Sequence, residues 1–349
     1  MSAGYQAVQW NARKVVYDAI ALAAVVIFIN GVIAIGSYLD PPKDAAEAAD
    51  LRIFAWGICA YLMLTFILAI GPLARLDPRF LVLLFNRRHL GVMTFFIAAV
   101  HAWYMIEWYQ AINAMPQLGE DLVNWPDYAK FIGFPFKALG ISALLVLFVM
   151  AATSHDFWLA FLTPRVWKAL HMALYVAYGL VVMHVALGAM QDQRSPLLPA
   201  MLLGCFGAVA ALHVLAGWRE RQQDREVRAS NDGWIVVGAP LAIPDKAARI
   251  IAASGGERIA VFRDGGEIGA FTNLCAHQNG PLGEGRIIDG CVTCPWHGHQ
   301  FRLADGCAPA PHTDKIETYR VRIRDGIVEV NPKPLPPGTP AAIRWADAA

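Results

Sequence analysis

Residues 275–298 read CAHQNGPLGEGRIIDGCVTCPWHG. Two short Cys/His units stand in this stretch. Cys275 and His277 form the first, Cys294 and His297 the second, with sixteen residues between His277 and Cys294. Cys291 precedes the second unit, and Cys307 follows it. The remaining cysteines, Cys59 and Cys205, sit in apolar runs. Such clustering points to metal ligation rather than to a secreted disulfide framework. Two metal groups compete for the set. Tetrahedral zinc takes two thiolates and two imidazoles, and Cys291-x-x-Cys294 imitates a zinc knuckle. A [2Fe–2S] cluster with two thiolates on one iron and two imidazoles on the other needs the same four residues.

The flanks separate them. A zinc hairpin does not require GPL after the first unit or CPWHGHQF at the second. Through Cys275, His277, Gly280-Pro281-Leu282, Cys294, Pro295, Trp296, His297, Gly298 and Phe301 the stretch resembles Rieske ferredoxin domains. The resemblance covers roughly residues 231–332. It implies a [2Fe–2S] cluster on Cys275, His277, Cys294 and His297. The related proteins of quinol-oxidising complexes have an added cysteine in each loop, joined as a disulfide; here those places are Gly280 and Trp296. Their serine and tyrosine donors to the cluster are replaced by His299 and Phe301. Fewer donors stabilise the reduced cluster less, so the resemblance implies the low-potential type. Cys291 and Cys307 read as small buried hydrophobes.

Around this stretch lie the short β-prone runs WIVV, RIAVF, IGAFT, YRVRI and GIVEV. RDGG at 263–266 and RDG at 324–326 are turn signals. Residues 231–333 thus read as a small all-β domain. The proline-rich residues 334–349 read as a tail without fixed structure.

Upstream, the chain changes character. Of 349 residues 56% are hydrophobic and 16% charged, an apolar balance that marks a membrane protein. The net charge of +1 speaks against a nucleic-acid partner. A bilayer crossing takes roughly 20 apolar residues. Six runs qualify, near 15–37, 51–72, 89–109, 134–153, 166–190 and 197–217, with Lys137 free to snorkel at the start of the fourth. The first run lacks a cleavage site and reads as a retained helix. Residues 1–217 are therefore expected to form a six-helix membrane bundle, and the charged residues 218–230, with RERQQDREVRAS, a linker. The fold class is an all-α membrane bundle plus a small all-β iron–sulfur domain.

Basic residues collect on one side of the bundle: Arg13, Lys14, Arg75, Arg79, Arg87, Arg88, Arg165, Lys168, Arg219, Arg221, Arg225 and Arg228. The other side has Lys43, Arg52, Lys130, Lys137 and Arg194. This bias places both termini and the β domain in the cytoplasm, at an inner membrane. The loop with Glu120, Asp121 and Asp127 faces out, and Trp103, Trp108 and Tyr109 fit an outer aromatic belt.

Histidine inside a bilayer is costly and usually functional. His101 lies on the third run, and His171 and His184 lie thirteen residues apart on the fifth. His89 opens the third run. Two helices of a bundle can hold haem b by axial histidines. RRHLG followed by His101, then TSHDFW, RVWKALHMALY and MH, resembles the ferric-reductase-like transmembrane superfamily. Within it the likeness is to haem-binding subunits of bacterial methionine sulfoxide reductase systems, over residues 50–190. His101 and His184 pair at one depth. His171 and His89 offer a second, inner haem, and His213 is the substitute for His89. The alternative role for each is a hydrogen bond to a neighbouring helix. His155, His299 and His312 read as non-ligands.

The expected function is electron transfer across the membrane. Electrons would pass between a cytoplasmic donor, a low-potential cluster, haem b (one or two), and a quinone or outer-face redox protein. Relatives that oxidise NADPH carry FAD and nucleotide domains. No G-x-G-x-x-G follows a strand here, so a separate soluble NAD(P)H-dependent reductase is expected. The alternatives are a redox sensor and a membrane-tethered ferredoxin without transmembrane transfer. A Rieske oxygenase would need a further iron domain after the cluster.

Overall fold

The computed structural model describes residues 12–84, 87–123, 128, 134–154, 156–192, 196–225, 228–230, 232–253, 258–277, 279–296 and 298–345. His297, His155, Asp127, Lys130 and Arg194 lie outside them. The chain divides into two compact units.

One unit spans Asn11–Gly71 and Asn86–His213 and is helical. Its long helices are α1 (Ala12–Leu39), α2 (Ala45–Leu76), α4 (Arg87–Ala111) and α6 (Phe136–Ala152). They are followed by α7 (Asp156–His171), α8 (Leu174–Leu187) and α10 (Leu197–Arg225). Between them in sequence stand the short α5 (Met115–Val123), α9 (Ala189–Asp192) and α3 (Leu81–Leu84), the last belonging to the other unit. Five spans are long and apolar enough to cross a bilayer, and Phe136–Ala152 is a shorter apolar helix. The chain is a multi-pass membrane protein, and its apolar helices are explained by the need to satisfy every backbone group internally in lipid. The fifth run is not one smooth helix. His171 ends α7 and His184 stands on α8, with a tightened turn between them. There Met172 N–H reaches Ala169 O at 3.2 Å and Ala173 N–H reaches Leu170 O at 3.0 Å, the i→i−3 pattern of a 3₁₀ turn.

Side chains that cannot be left unpaired in an apolar core tie the helices together. Tyr61 on α2 stacks on Tyr178 on α8, ring centres 5.9 Å apart and 4° from parallel. Tyr61 OH donates to Leu202 O on α10 at 3.1 Å, and Thr65 Oγ1 and Tyr178 OH are 3.2 Å apart. Each such bond is worth about 1 kcal/mol net, and leaving the hydroxyl unmet costs more. Lys137 donates to Tyr109 OH and lies 4.8 Å from that ring's centre. Its ammonium is thus met by an interfacial aromatic.

The other unit joins residues Pro72–Phe85 with Val214–Ala349. Its larger sheet is ordered β1 (Arg228–Ala229), β2 (Ile235–Gly238), β10 (Ile327–Leu335), β9 (Thr318–Arg324), β5 (Glu267–Thr272), β4 (Arg258–Asp264), β3 (Ala248–Ala252). A smaller antiparallel sheet holds β6 (Arg286–Ile288), β7 (Cys291–Thr293) and β8 (Gln300–Arg302). The two-residue period of strands divides β4 and β5 between two cores. Ile259, Val261, Ile268 and Ala270 enter one core. Ala260, Phe262 and Phe271 enter the other, together with Cys275, Cys294, Leu282 and Phe301. This shared wall positions the Cys/His stretch. Asp325-Gly326 and Asp289-Gly290 both have paired positive φ, 52° and 75°, then 51° and 72°, as hairpin turns of the primed type require.

Two expectations at the edges of this unit are corrected. Of the residues 334–349 read as a loose tail, 334–345 are not one: β11 (Ile343–Arg344) pairs with β5, and Trp345 Nε1 donates to Gly265 O at 2.9 Å. Ile343 and Trp345 pack on the first core, which supplies the burial a proline-rich segment lacks by itself. The stretch read as a linker is helical as far as Arg225, because Arg, Glu and Gln are good helix formers. Arg75 pairs with Glu220 at 3.5 Å and Glu284 at 3.1 Å, and Arg258 with Glu220 at 3.4 Å. These ions tie the helix ends to the β domain within this unit.

Candidate metal and haem centres

The two Cys/His loops are built alike. In the first, Cys275 N–H donates to Gly280 O at 2.9 Å, and Asn279 N–H returns a bond to Cys275 O at 2.8 Å. In the second, Cys294 N–H donates to His299 O at 2.8 Å, and Gly298 N–H returns to Cys294 O at 2.9 Å. Both turns need a left-handed residue four places after the cysteine. Asn279 fills it at φ 53° and Gly298 at φ 72°. Asn and Gly are the residues that enter this region most readily.

The loops face one another. A β-carbon at Gly280 would lie 3.0 Å from Cys294 Sγ and 3.1 Å from Trp296. Gly280 and Trp296, the positions without bridge cysteines, are therefore in contact. Leu282 is fully buried and anchors the GPL turn, and Gly283 N–H donates to Asn273 Oδ1 at 2.6 Å. Cys275 and Cys294 are 1% and 2% exposed. The His277 ring stacks on that of His299, centres 5.3 Å apart and 14° from parallel. Cys291 is fixed in β7, paired with Ile288 and Arg302. Burial pushes its thiol up from the usual value. Burial likewise pushes His299 below the usual imidazole range, opposed by Asp314 and helped by His312.

In the helical unit, His101 on α4 and His184 on α8 are brought together. Their ring centres are 6.3 Å apart and their planes perpendicular, at 90°. Each is held the same way. His101 Nδ1 meets Ile53 O at 2.9 Å, and His184 Nδ1 meets Phe136 O at 2.9 Å. A carbonyl can only accept, so each Nδ1 carries the proton and each Nε2 keeps its lone pair. One turn further along α2 and α6, Gly57 and Gly140 make room. A β-carbon there would lie 2.9 Å from the His101 ring and 2.8 Å from the His184 ring.

Sequence reasoning missed these two glycines, yet a signal exists. Ile53-x-x-x-Gly57 precedes His101, and Phe136-x-x-x-Gly140 precedes His184, with the same carbonyl-to-histidine separation of 48 residues in both. Two nitrogens, each about 2.0–2.1 Å from one metal ion, set ring centres roughly 6 Å apart across it. The spacing of the observed pair is one in which His101 and His184 could hold a haem iron between them.

His89 and His171 each have Nδ1 held by a neighbour. His89 Nδ1 meets Asp18 Oδ2 on α1 at 2.7 Å. His171 Nδ1 meets Trp167 O at 3.0 Å, and its ring stacks on Trp167 at 3.7 Å. His171 Nε2 is buried and without a hydrogen-bond partner among the described residues. His213 has both nitrogens occupied, Nδ1 by Val209 O at 2.9 Å and Nε2 by Tyr175 OH at 3.0 Å.

A family model for the Rieske [2Fe-2S] domain matches residues 233–320. The ferredoxin subunit of anthranilate 1,2-dioxygenase from Burkholderia cepacia is 43% identical over 88 residues, 25% of this chain and 79% of that one. The chain belongs to the Rieske [2Fe-2S] family. Its Cys/His stretch is accordingly that of an iron–sulfur domain and not of a zinc hairpin. A family model for the ferric reductase like transmembrane component matches residues 53–182, within the helical half. The heme-binding subunit MsrQ of protein-methionine-sulfoxide reductase from Xanthomonas campestris pv. campestris is 32% identical over 163 residues. That match covers 47% of this chain and 65% of that relative, just under two thirds of its length. Among solved structures, Sphingomonas yanoikuyae B1 ferredoxin is 30% identical, with a TM-score of 0.27 over 28% of this chain and 98% of that one.

Proposed function

We propose that this electron-transfer membrane protein carries single electrons between a cytoplasmic donor and an acceptor that is a quinone or an outer-face redox protein. Cys275, Cys294, His277 and His297 would hold the [2Fe–2S] cluster, and His101 and His184 would hold haem b. The observation that carries this reading is the His101–His184 pair, 6.3 Å apart with perpendicular planes, in a chain that also bears a Rieske domain. Both groups, when bound, supply one-electron redox chemistry.

The residues do the positioning. Ile53 O and Phe136 O fix the tautomer and orientation of their imidazoles and raise the basicity of Nε2. Gly57 and Gly140 hold open the space the rings occupy. Cys275 and Cys294 are shielded from water, which favours the less charged state of a thiolate-bound group. With Phe301 where a hydroxyl donor would stand, the cluster potential falls at the low end, on the order of −150 mV. His171, whose Nε2 is buried without a well-formed hydrogen bond among the described residues, would be one ligand of a second, inner haem, and His89, oriented by Asp18, the other. The basic bias of the loops supports an inner-membrane protein with cytoplasmic termini, and a soluble NAD(P)H-dependent reductase as donor.

Absorption and EPR spectra of the full chain in detergent, oxidised and reduced, test this reading. It requires a low-spin b-type haem and a reduced Rieske signal in the same sample. A cluster without haem would instead support a redox sensor or tethered ferredoxin.

A further inference from the structure

Beside the Rieske loops lies a second group of metal-ligating side chains that the electron-transfer reading does not use. His299 stands between Gly298 and β8. His312 and Asp314 stand on the segment that leads to β9. One donor atom from each falls within 4.8 Å of the others. The segment is held in place by its backbone: Ala308 N–H donates to Asp314 O at 2.8 Å, and His312 N–H to Pro309 O at 3.0 Å. The His299 backbone is fixed from the other side by the bond from Cys294.

These side chains are poorly satisfied. His299 is 2% exposed, and among the described residues both its ring nitrogens are buried without a hydrogen-bond partner. His312 Nε2 is buried in the same condition. The rings of His299 and His312 lie 5.0 Å apart. His299 Nε2 comes within 3.2 Å of Asp314 Oδ2, but without the angles of a hydrogen bond. Among the described residues, His299 Nδ1 and His312 Nε2 are buried without a partner and His299 Nε2 has only the poorly angled Asp314 carboxylate, which calls for an explanation, since native interiors rarely tolerate one such group.

We propose that His299, His312 and Asp314 form a metal site of their own, separate from the cluster, for one divalent first-row cation of the zinc or ferrous type. Imidazole nitrogen suits these ions, and two imidazoles with one carboxylate match their usual donor sets. A cation there answers the buried nitrogens with lone pairs and balances the carboxylate. Asp314 is 44% exposed, so the site opens to solvent on its side and leaves room for water as a further ligand. For the His299–Asp314 pair the spacing is already that of a site: 3.2 Å between two donors is what two ligands about 2.1 Å from one ion adopt, and His312 would close in by a small movement of its half-exposed side chain. This assignment reverses the sequence reading of His299 and His312 as non-ligands.

The test uses the full chain, cluster-loaded, in detergent, with an affinity tag that contains no histidine. Zinc ion is titrated calorimetrically, and zinc and iron are then counted after dialysis. The proposal expects one tight zinc per chain, with iron and the reduced Rieske EPR signal retained. Asp314→Asn and His312→Ala should each weaken zinc at least as much as loss of an outer-shell partner does, roughly 10–100-fold. Both positions lie partly or wholly at the surface, and the unchanged EPR signal shows that the variants fold. Absence of tight zinc binding, binding unaltered in both variants, or uptake only with loss of cluster iron would overturn the proposal. The iron count and EPR signal report the cluster separately, so failure here leaves that reading untouched.

Discussion

In the β domain each site loop is closed by its own backbone, within six residues of chain. In the helical unit each histidine is held by a helix other than its own, through a carbonyl 48 residues earlier in sequence. The first arrangement is local and survives as long as the loop does. The second depends on register between helices, since a shift of one residue turns a helix by about 100° and removes both the carbonyl and the gap beside it. Both are nevertheless duplicated designs. The loops repeat a Cys-to-+5 bond and a left-handed fourth residue; the helices repeat a carbonyl, a glycine one turn on, and a histidine.

The comparison breaks most sharply at the ligands. Cys275→Ser, Cys294→Ser or His297→Cys should abolish the reduced Rieske EPR signal while leaving the haem spectrum intact. His101→Ala or His184→Ala should do the converse, removing the haem that this pair holds and its share of the b-type absorption while the EPR signal stays. Retention of full haem in both single variants would show the pair to be wrongly assigned.

Smaller changes sharpen it. Gly57→Ala and Gly140→Ala place a methyl group 2.9 and 2.8 Å from ring atoms whose orientation is already fixed by a carbonyl. Reduced haem occupancy or a shifted spectrum is expected, in each variant alike, with helix content unchanged by circular dichroism. Gly280→Ala is the counterpart in the loops, pressing on Cys294 Sγ at 3.0 Å, and should lower iron content or shift the EPR g values. An effect in only one helical variant would show that the two cradles are not equivalent.

The local site was legible because its chemistry sits in a few adjacent residues. CPWHG fixes a thiolate, an imidazole and the left-handed glycine in five positions. RDG at 324–326 likewise announced its hairpin, and IIDGC at 287–291 carried the same signal unread. The helical site was legible in its histidines but not in their supports, because a glycine in an apolar helix has many ordinary reasons to be there. The broken fifth span was invisible for a similar reason: no proline or glycine marks Met172-Ala173, and hydropathy does not distinguish a 3₁₀ turn from a helix. The tail misled by composition. Prolines at 334–340 forbid a central strand, but they do not prevent Ile343 and Trp345 from docking on an edge.

The tail and the ion ties supply the smallest effects. Trp345→Ala removes a bond to Gly265 O and a partly buried ring, and should cost the β domain about 1–3 kcal/mol in a thermal melt. Arg75→Ala breaks two half-exposed ion pairs and should cost no more than about 1 kcal/mol.

The central claim is that both redox groups of this chain lie on one electron path. Stopped-flow reduction of the full chain by an enzymatic donor, followed at cluster and haem wavelengths, tests it most directly. The account predicts that haem reduction follows cluster reduction at a rate independent of protein concentration, and that Cys275→Ser abolishes it. Haem reduced by the same donor equally fast in Cys275→Ser would contradict it.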